Sequence, residues 1–237
     1  MPNSFFQFKQ FGIHQDRCGM KVSTDAVLLG AIAGGGAVVS ALDIGVGTGV
    51  ISLMLAQRFS DLEVVGVELD DEAYIQASEN AKSSLFSNRI TFHHGYFQDF
   101  SKNNKAKFDL IVSNPPYFPD HIKTKDIQRN KALHNDSLPF GELVRNVLPL
   151  LERNGAFWLI LPPRQMQDFQ VLCLDHGLFP FHQVRVSDKP ASKVIRVIQA
   201  FSFDQKEMVS KDLHIKNDDG TYAKVYLELL REFLIIF

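Results

Sequence analysis

The sequence predicts a Rossmann-like α/β protein: a mostly parallel seven-stranded sheet, closed by an antiparallel C-terminal hairpin, with helices on both faces. Three observations carry that prediction. Apolar, β-rich runs alternate with amphipathic stretches from residue 37 to about residue 203, the pattern of strands joined by crossover helices. A glycine run, Asp43-Ile44-Gly45-Val46-Gly47-Thr48-Gly49, sits where the first strand gives way to the first helix of that alternation. The last two strand-like runs, 182–187 and 193–203, are joined only by Asp188-Lys189-Pro190-Ala191. A four-residue link cannot hold a crossover helix, so these two runs pair antiparallel.

Residues 26–42 carry no charge but are interrupted by Gly34, Gly35 and Gly36. They read as a short helix, a glycine turn and the start of the first strand rather than as a membrane span, which needs roughly 20 apolar residues. The strands are expected over 38–44, 63–68, 90–93, 108–113 and 156–161, each an almost continuous apolar run suited to a sheet covered on both sides. A helix begins near Arg164, the hairpin follows, and a last helix is expected over about 221–233. Residues 1–36 form an N-terminal lid and helix packed on a core that occupies 37–237. Phe5, Phe6, Phe8 and Phe11 belong to the packing of that lid rather than to base stacking, and the apolar tail 234–237 docks on the sheet.

The chain has 237 residues, 45% of them hydrophobic and 22% charged, with a formal net charge of -2. That composition excludes a disordered or globally basic nucleic-acid binder, so any RNA contact must come from local patches. Cys18 and Cys173 form no CxxC pair and have no histidine at ligand spacing, and His93, His94, His121 and His134 show no ligand partners. No metal is expected, and a reducing, cytoplasmic setting fits best. The N-terminus lacks the features of a signal peptide.

The glycine loop lets backbone approach a ligand closely in conformations that side chains disfavour. A dinucleotide fingerprint would carry a third glycine at position 50, where this chain has Val50, and would not need Asp43. A carboxylate two residues before the first glycine suits a cationic ligand group such as an ammonium. Glu68, next to Leu69 and 19 residues beyond Gly49, ends the second strand, where a carboxylate can accept both hydroxyls of a ribose. Tyr96 and Asp99 follow the third strand at the same edge. Thr24 either caps the first helix with its neighbours Ser23 and Asp25 or reaches the ligand's carboxylate.

The fourth strand runs directly into Asn114-Pro115-Pro116-Tyr117. In open α/β sheets, ligands bind beyond the carboxyl ends of the strands, so this tetrapeptide faces the crevice of the glycine loop. Asn114 offers a side-chain carbonyl and Pro115 a main-chain one, and the two prolines fix the backbone that aims them. Two acceptors at one point suit a planar amine, whose delocalised lone pair becomes nucleophilic when both N–H bonds are held. Tyr117 offers a flat face for stacking such a group.

With both motifs in place, the sequence resembles the amino-methyltransferases that carry NPPY. Within these it is most similar to the bacterial tRNA1(Val) adenine-methyltransferase family, which methylates the adenosine just after the anticodon. The closer resemblance rests on Phe8-Lys9-Gln10-Phe11, His14 with Asp16-Arg17-Cys18, Met20-Lys21-Val22, Thr24-Asp25, Leu28-Leu29-Gly30, the Asp43 loop, Asn114 to Tyr117, Arg185 to Lys189, and Arg196-Val197. It spans nearly the whole chain.

The resemblance implies a class I methyltransferase fold, S-adenosylmethionine as cofactor, tRNA as partner and the 6-amino group of adenine as acceptor. It assigns Asp43, Gly45, Gly47, Gly49, Glu68, Leu69, Thr24, Tyr96, Asp99 and Asn114 to the cofactor, and Asn114 to Tyr117 to catalysis. The chain departs from the family at Tyr96, where an acidic residue is usual. Candidate RNA contacts are Lys123, Lys125, Arg129 and Lys131 after NPPY, and Arg185, Lys189, Lys193 and Arg196 on the hairpin. Neither a membrane nor an obligate protein partner is indicated. The NPPY logic applies equally to a protein glutamine amide and to DNA adenine, and a nucleotide-binding module without chemistry is the non-enzymatic alternative.

Overall fold

The structure is a computed structural model that describes residues 4–116 and 138–235. The strands are β1 (Phe5–Gln7), β2 (Gly12–His14), β3 (Ser40–Ile44), β4 (Glu63–Glu68), β5 (Ile90–His94), β6 (Phe108–Ser113), β7 (Leu151–Leu161), β8 (Phe179–Ser187), β9 (Val194–Ser202) and β10 (Val209–His214). The helices among the described residues are α1 (Thr24–Ile32), α2 (Val50–Arg58), α3 (Asp71–Lys82), α4 (Phe97–Asn103), α5 (Phe140–Val147), α6 (Pro163–Asp175) and α7 (Lys224–Leu230).

The main sheet has the order β10-β8-β9-β7-β6-β3-β4-β5. Neighbours from β7 to β5 run parallel, and the β8–β9 hairpin is antiparallel, with β9 also antiparallel to β7. The seven expected strands are present, and an eighth, β10, adds in parallel to the outer side of β8. Its sequence, Val-Ser-Lys-Asp-Leu-His, buries only Leu213. An edge strand with one covered position has no apolar run to announce it.

Side chains alternate between the two faces with the period of a strand. Along β7, Trp158 and Ile160 join the core beneath α1, α2 and the C-terminal helix, whereas Phe157, Leu159 and Leu161 join the core beneath α5 and α6. Of the four N-terminal phenylalanines expected to pack in the lid, Phe8 and Phe11 are buried and stack with ring centroids 4.5 Å apart, whereas Phe5 is exposed. Phe8 also bridges to Leu234, and Lys9 N–H donates to the Phe233 carbonyl at 2.8 Å, so the two chain ends close on each other. Among the described residues, no helix is long and apolar enough to cross a membrane.

The register sets the position of the site. Ile44 of β3 pairs with Val67 of β4 and with Ser113 of β6, so the ends of these strands lie along one carboxyl edge. The sheet changes direction between β3 and β6, the switch point at which two successive connections part and leave a crevice. Leu161 pairs with Val197, so the tip of the β8–β9 hairpin rises at this same edge.

Candidate active site

The loop after β3 folds over the end of β4: Gly45 N–H donates to the Val67 carbonyl at 2.9 Å and Gly49 N–H to Val46 at 3.0 Å. Gly45 and Gly47 have φ of 77° and 55°, a region that costs an L-residue roughly 1–2 kcal/mol. A Cβ at either position would meet no protein atom within 4 Å. Both line a cleft of about 340 Å³, so the space a side chain would take is ligand space. This is the observation that fits an S-adenosylmethionine-sized group to the loop. Gly49 does not line the cleft. It caps the start of α2 at φ 84°, a left-handed conformation that side chains disfavour, while a Cβ there would make only ordinary contact with Ala77 of α3 at 3.6 Å.

Glu68 lines the cleft at the end of β4. Its carboxylate accepts Gly47 N–H at 2.8 Å and Asp70 N–H at 2.9 Å, which locks the glycine loop to the next turn. Each oxygen keeps a further lone pair for a ribose hydroxyl. Leu69, Tyr96 and Asn114 also line the cleft, together with Phe97 and Gln98.

Three more expected cofactor contacts, besides Gly49, are placed elsewhere. Asp43 has no exposed surface: it lies beneath the glycine loop, where Oδ2 accepts the Ser52 hydroxyl at 2.6 Å and Oδ1 has no hydrogen-bond partner. It holds the loop to α2 rather than meeting a ligand directly. Burial, helped by the nearby Glu68 charge and opposed by the Ser52 hydrogen bond, pushes its carboxyl up to about 7. Asp99 is exposed on the first turn of α4, 3.7 Å from Lys102, and faces a separate groove. Thr24 is exposed in the first turn of α1 and is not among the residues lining this cleft, and the cap is Ser23, whose hydroxyl accepts Ala26 N–H at 3.2 Å.

The acceptor end lies across the switch point. The buried Ser113 hydroxyl donates to the Ile44 carbonyl at 3.0 Å and ties the end of β6 to the start of the glycine loop. Asn114, Pro115 and Pro116 follow and line the same cleft. Asn114 is half-buried, Pro115 buried and Pro116 exposed. Tyr117, Lys123, Lys125, Arg129 and Lys131 lie outside the described residues.

The opposite wall is one that the search for motifs did not assign to the site. Residues 15–22 run over the cleft as a strap, and Cys18, Gly19 and Met20 line it. The strap hangs on two buried amides of α3. Gln76 accepts Arg17 N–H at 3.0 Å and donates to Asp16 at 2.8 Å. Asn80 accepts His14 N–H and donates to the His14 and Thr48 carbonyls, each at 2.9 Å, joining strap and glycine loop. Gln76 and Asn80 are each 1% exposed on an otherwise polar helix, so sequence gave no sign that these two amides face inward. Cys18 donates to the Gly47 carbonyl at 3.7 Å. Burial, then the charges of Glu68 and Asp70, pushes its thiol up to about 11, so it is no thiolate nucleophile at neutral pH.

On the hairpin, two of the four candidate RNA contacts are ion-paired. Arg185 grips Asp212 through two bonds of 2.8 and 2.9 Å, and Arg196 Nε lies 2.6 Å from Asp25. Those carboxylates offset part of the positive charge that a phosphate would meet. Lys189 Nζ donates to the Asp218 carbonyl at 3.1 Å and lies near the Asp219 carboxylate, and Lys193 is exposed, so both ammonium groups sit at the surface where a phosphate could reach them. Among the described residues, no group of three or more His, Cys, Asp and Glu side chains could hold a metal.

The sheet order, the switch-point cleft and the glycine loop define a class I methyltransferase. The family model described as methyltransferase small domain matches residues 25–166. The structure of a predicted O-methyltransferase from Agrobacterium tumefaciens superposes with a TM-score of 0.70, covering 88% of this chain and 96% of that one at 17% identity, which shows the fold alone. Relatives narrow the assignment. The chain is 42% identical over 236 residues to the tRNA1(Val) (adenine(37)-N6)-methyltransferase of Bacteroides fragilis, covering 99% of each chain. It is 38% identical over 231 residues to the protein of the same name from Flavobacterium psychrophilum, covering 97% of this chain and 99% of that one. The chain belongs to this family of tRNA methyltransferases.

Proposed function

We propose that this protein methylates the exocyclic N6 of an adenine in tRNA, at the adenosine 3′ of the anticodon of tRNA1(Val), using S-adenosylmethionine. The observation that carries the reading is the joining of Asn114 and Pro115 to the glycine loop in one cleft, through the Ser113–Ile44 hydrogen bond. When bound, the cofactor supplies an electrophilic methyl group on a sulfonium. Gly45, Gly47, Glu68 and Leu69 bind and orient it, and Asp43 and Ser52 brace the loop from below.

The Asn114 side-chain oxygen and the Pro115 carbonyl accept the two N–H bonds of the target amine. This withdraws its lone pair from the ring and stabilises the positive charge that develops on nitrogen. No strong general base is needed, because orientation supplies most of the rate. Tyr117 stacks on the flipped base. Lys189 and Lys193 contact phosphates from the hairpin, and Lys123, Lys125, Arg129 and Lys131 do so from the segment after NPPY. The reading sets the enzyme in the cytoplasm, where the free thiols of Cys18 and Cys173 stay reduced. Its test is to incubate methyl-labelled cofactor with RNA, DNA and protein from cells lacking the enzyme. Label is expected in the tRNA fraction. Label in protein would assign the cleft to a glutamine amide, and label in DNA would move the acceptor to another polymer.

A further inference from the structure

Met20 stands out on the strap. It lines the cleft with 60% of its surface exposed, whereas Gln15 and Cys18 of the same strap are buried. The strap is fixed on both sides of it. Before it, Arg17 N–H is held by Gln76 and Cys18 by Gly47. After it, Val22 N–H donates to Oε1 of Gln15 at 2.8 Å, and Gln15 is itself only 3% exposed. A segment pinned at residues 14, 17, 18 and 22 presents Met20 as a fixed surface and not as a wandering loop tip.

The position of Met20 along the cleft indicates what it meets. Cys18 touches the floor at Gly47, and two residues later, at most roughly 7 Å along the chain, Met20 has reached the mouth. Pro116, which directly follows the acceptor residues Asn114 and Pro115, is also exposed and lines the same cleft. The glycine loop and the end of β4 form the buried end that takes the cofactor. The outermost apolar walls face the group that enters last. An unbranched thioether suits the edge or face of an aromatic ring, and a purine offers both.

We propose that Met20 is the strap-side contact for the acceptor adenine, forming with Pro116 a slot that holds the base edge-on to Asn114. Gln15 and Gln76 act as positioning residues that keep it there. The inference rests on the adenine-methyltransferase reading and adds the residue that grips the base.

The test uses the full chain and a tRNA1(Val) transcript, with single-turnover methylation, RNA affinity and S-adenosylhomocysteine affinity measured on the same preparations. Met20→Ala should weaken RNA binding or slow single turnover by about tenfold, the weight of one methionine–aromatic contact. Met20→Leu, which restores apolar bulk, should recover most of that loss. S-adenosylhomocysteine affinity and melting temperature should not move, since Met20 is exposed and is proposed to meet the base rather than the cofactor. Unchanged RNA affinity and rate in Met20→Ala would overturn the inference, as would a loss confined to S-adenosylhomocysteine, which would make Met20 a cofactor cover. Failure of the wild-type protein to methylate the transcript would instead overturn the underlying reading.

Discussion

Asp43→Asn should change how stability depends on pH. In the wild type, enclosure under the glycine loop moves the carboxyl from 3.8 to about 7. A carboxyl with a raised folded value binds its proton more tightly folded than unfolded. Its cost to stability is therefore absent below about pH 4, grows as pH rises through the interval, and is complete above about pH 7. At roughly 1.4 kcal/mol per pH unit over about three units, the full cost is on the order of 4 kcal/mol. Asparagine keeps an acceptor for the Ser52 hydroxyl but cannot ionise.

For a chain of this length, roughly 2–4 °C per kcal/mol puts the expected divergence on the order of 10 °C. The wild type should lose melting temperature relative to Asp43→Asn between about pH 4 and pH 7, with the two curves converging at the acidic end. The assay is thermal unfolding of both proteins across that range without cofactor. Parallel curves would refute the reasoning, because they would mean that Asp43 titrates as a solvated carboxyl.

Three further outcomes follow from the site. Gly47→Ala, with a Cβ placed in the cleft at a left-handed position, should weaken S-adenosylhomocysteine binding by tenfold or more while costing stability only about 1–2 kcal/mol; calorimetry and melting on one preparation separate the two. Asn114→Ala should lower single-turnover methylation by about 10²–10³, the scale for one preorganised polar group, with cofactor affinity unchanged; a rate above about a tenth of wild type would remove Asn114 from catalysis. Replacing Lys189 and Lys193 together by Ala should flatten the dependence of RNA affinity on log salt by about one unit per lost phosphate contact, whereas an unchanged slope would make them solvated surface.

The parallel strands were legible because each buries both faces and so reads as an apolar run, and the hairpin because a four-residue link admits only one pairing. β10 was not, since it exposes most of its length at the sheet edge. At the site, spacing located the loop, the strand-ending Glu68 and Asn114, whose positions the backbone dictates. It misjudged the direction of side chains. Asp43 was assigned to a ligand charge, but a residue near the end of a buried strand can point beneath the loop as readily as into the cleft, and Ser52 of α2 completes it there. Gln76 and Asn80 were invisible because nothing local marks an amide that will be buried by a segment some 60 residues earlier. The spacing of a motif says which backbone approaches a ligand, whereas burial of single polar groups is decided by tertiary packing.

The central claim is that the cleft joining Asn114 to the glycine loop methylates adenine N6 in tRNA. Its most direct measurement is to react an unmodified tRNA1(Val) transcript with methyl-labelled S-adenosylmethionine, digest it, and identify the labelled nucleoside and its position. The account predicts N6-methyladenosine at the residue 3′ of the anticodon, abolished by replacing that adenine with guanine and nearly lost in Asn114→Ala. Label on another atom or nucleoside, or an undiminished yield from the Asn114→Ala protein, would contradict it.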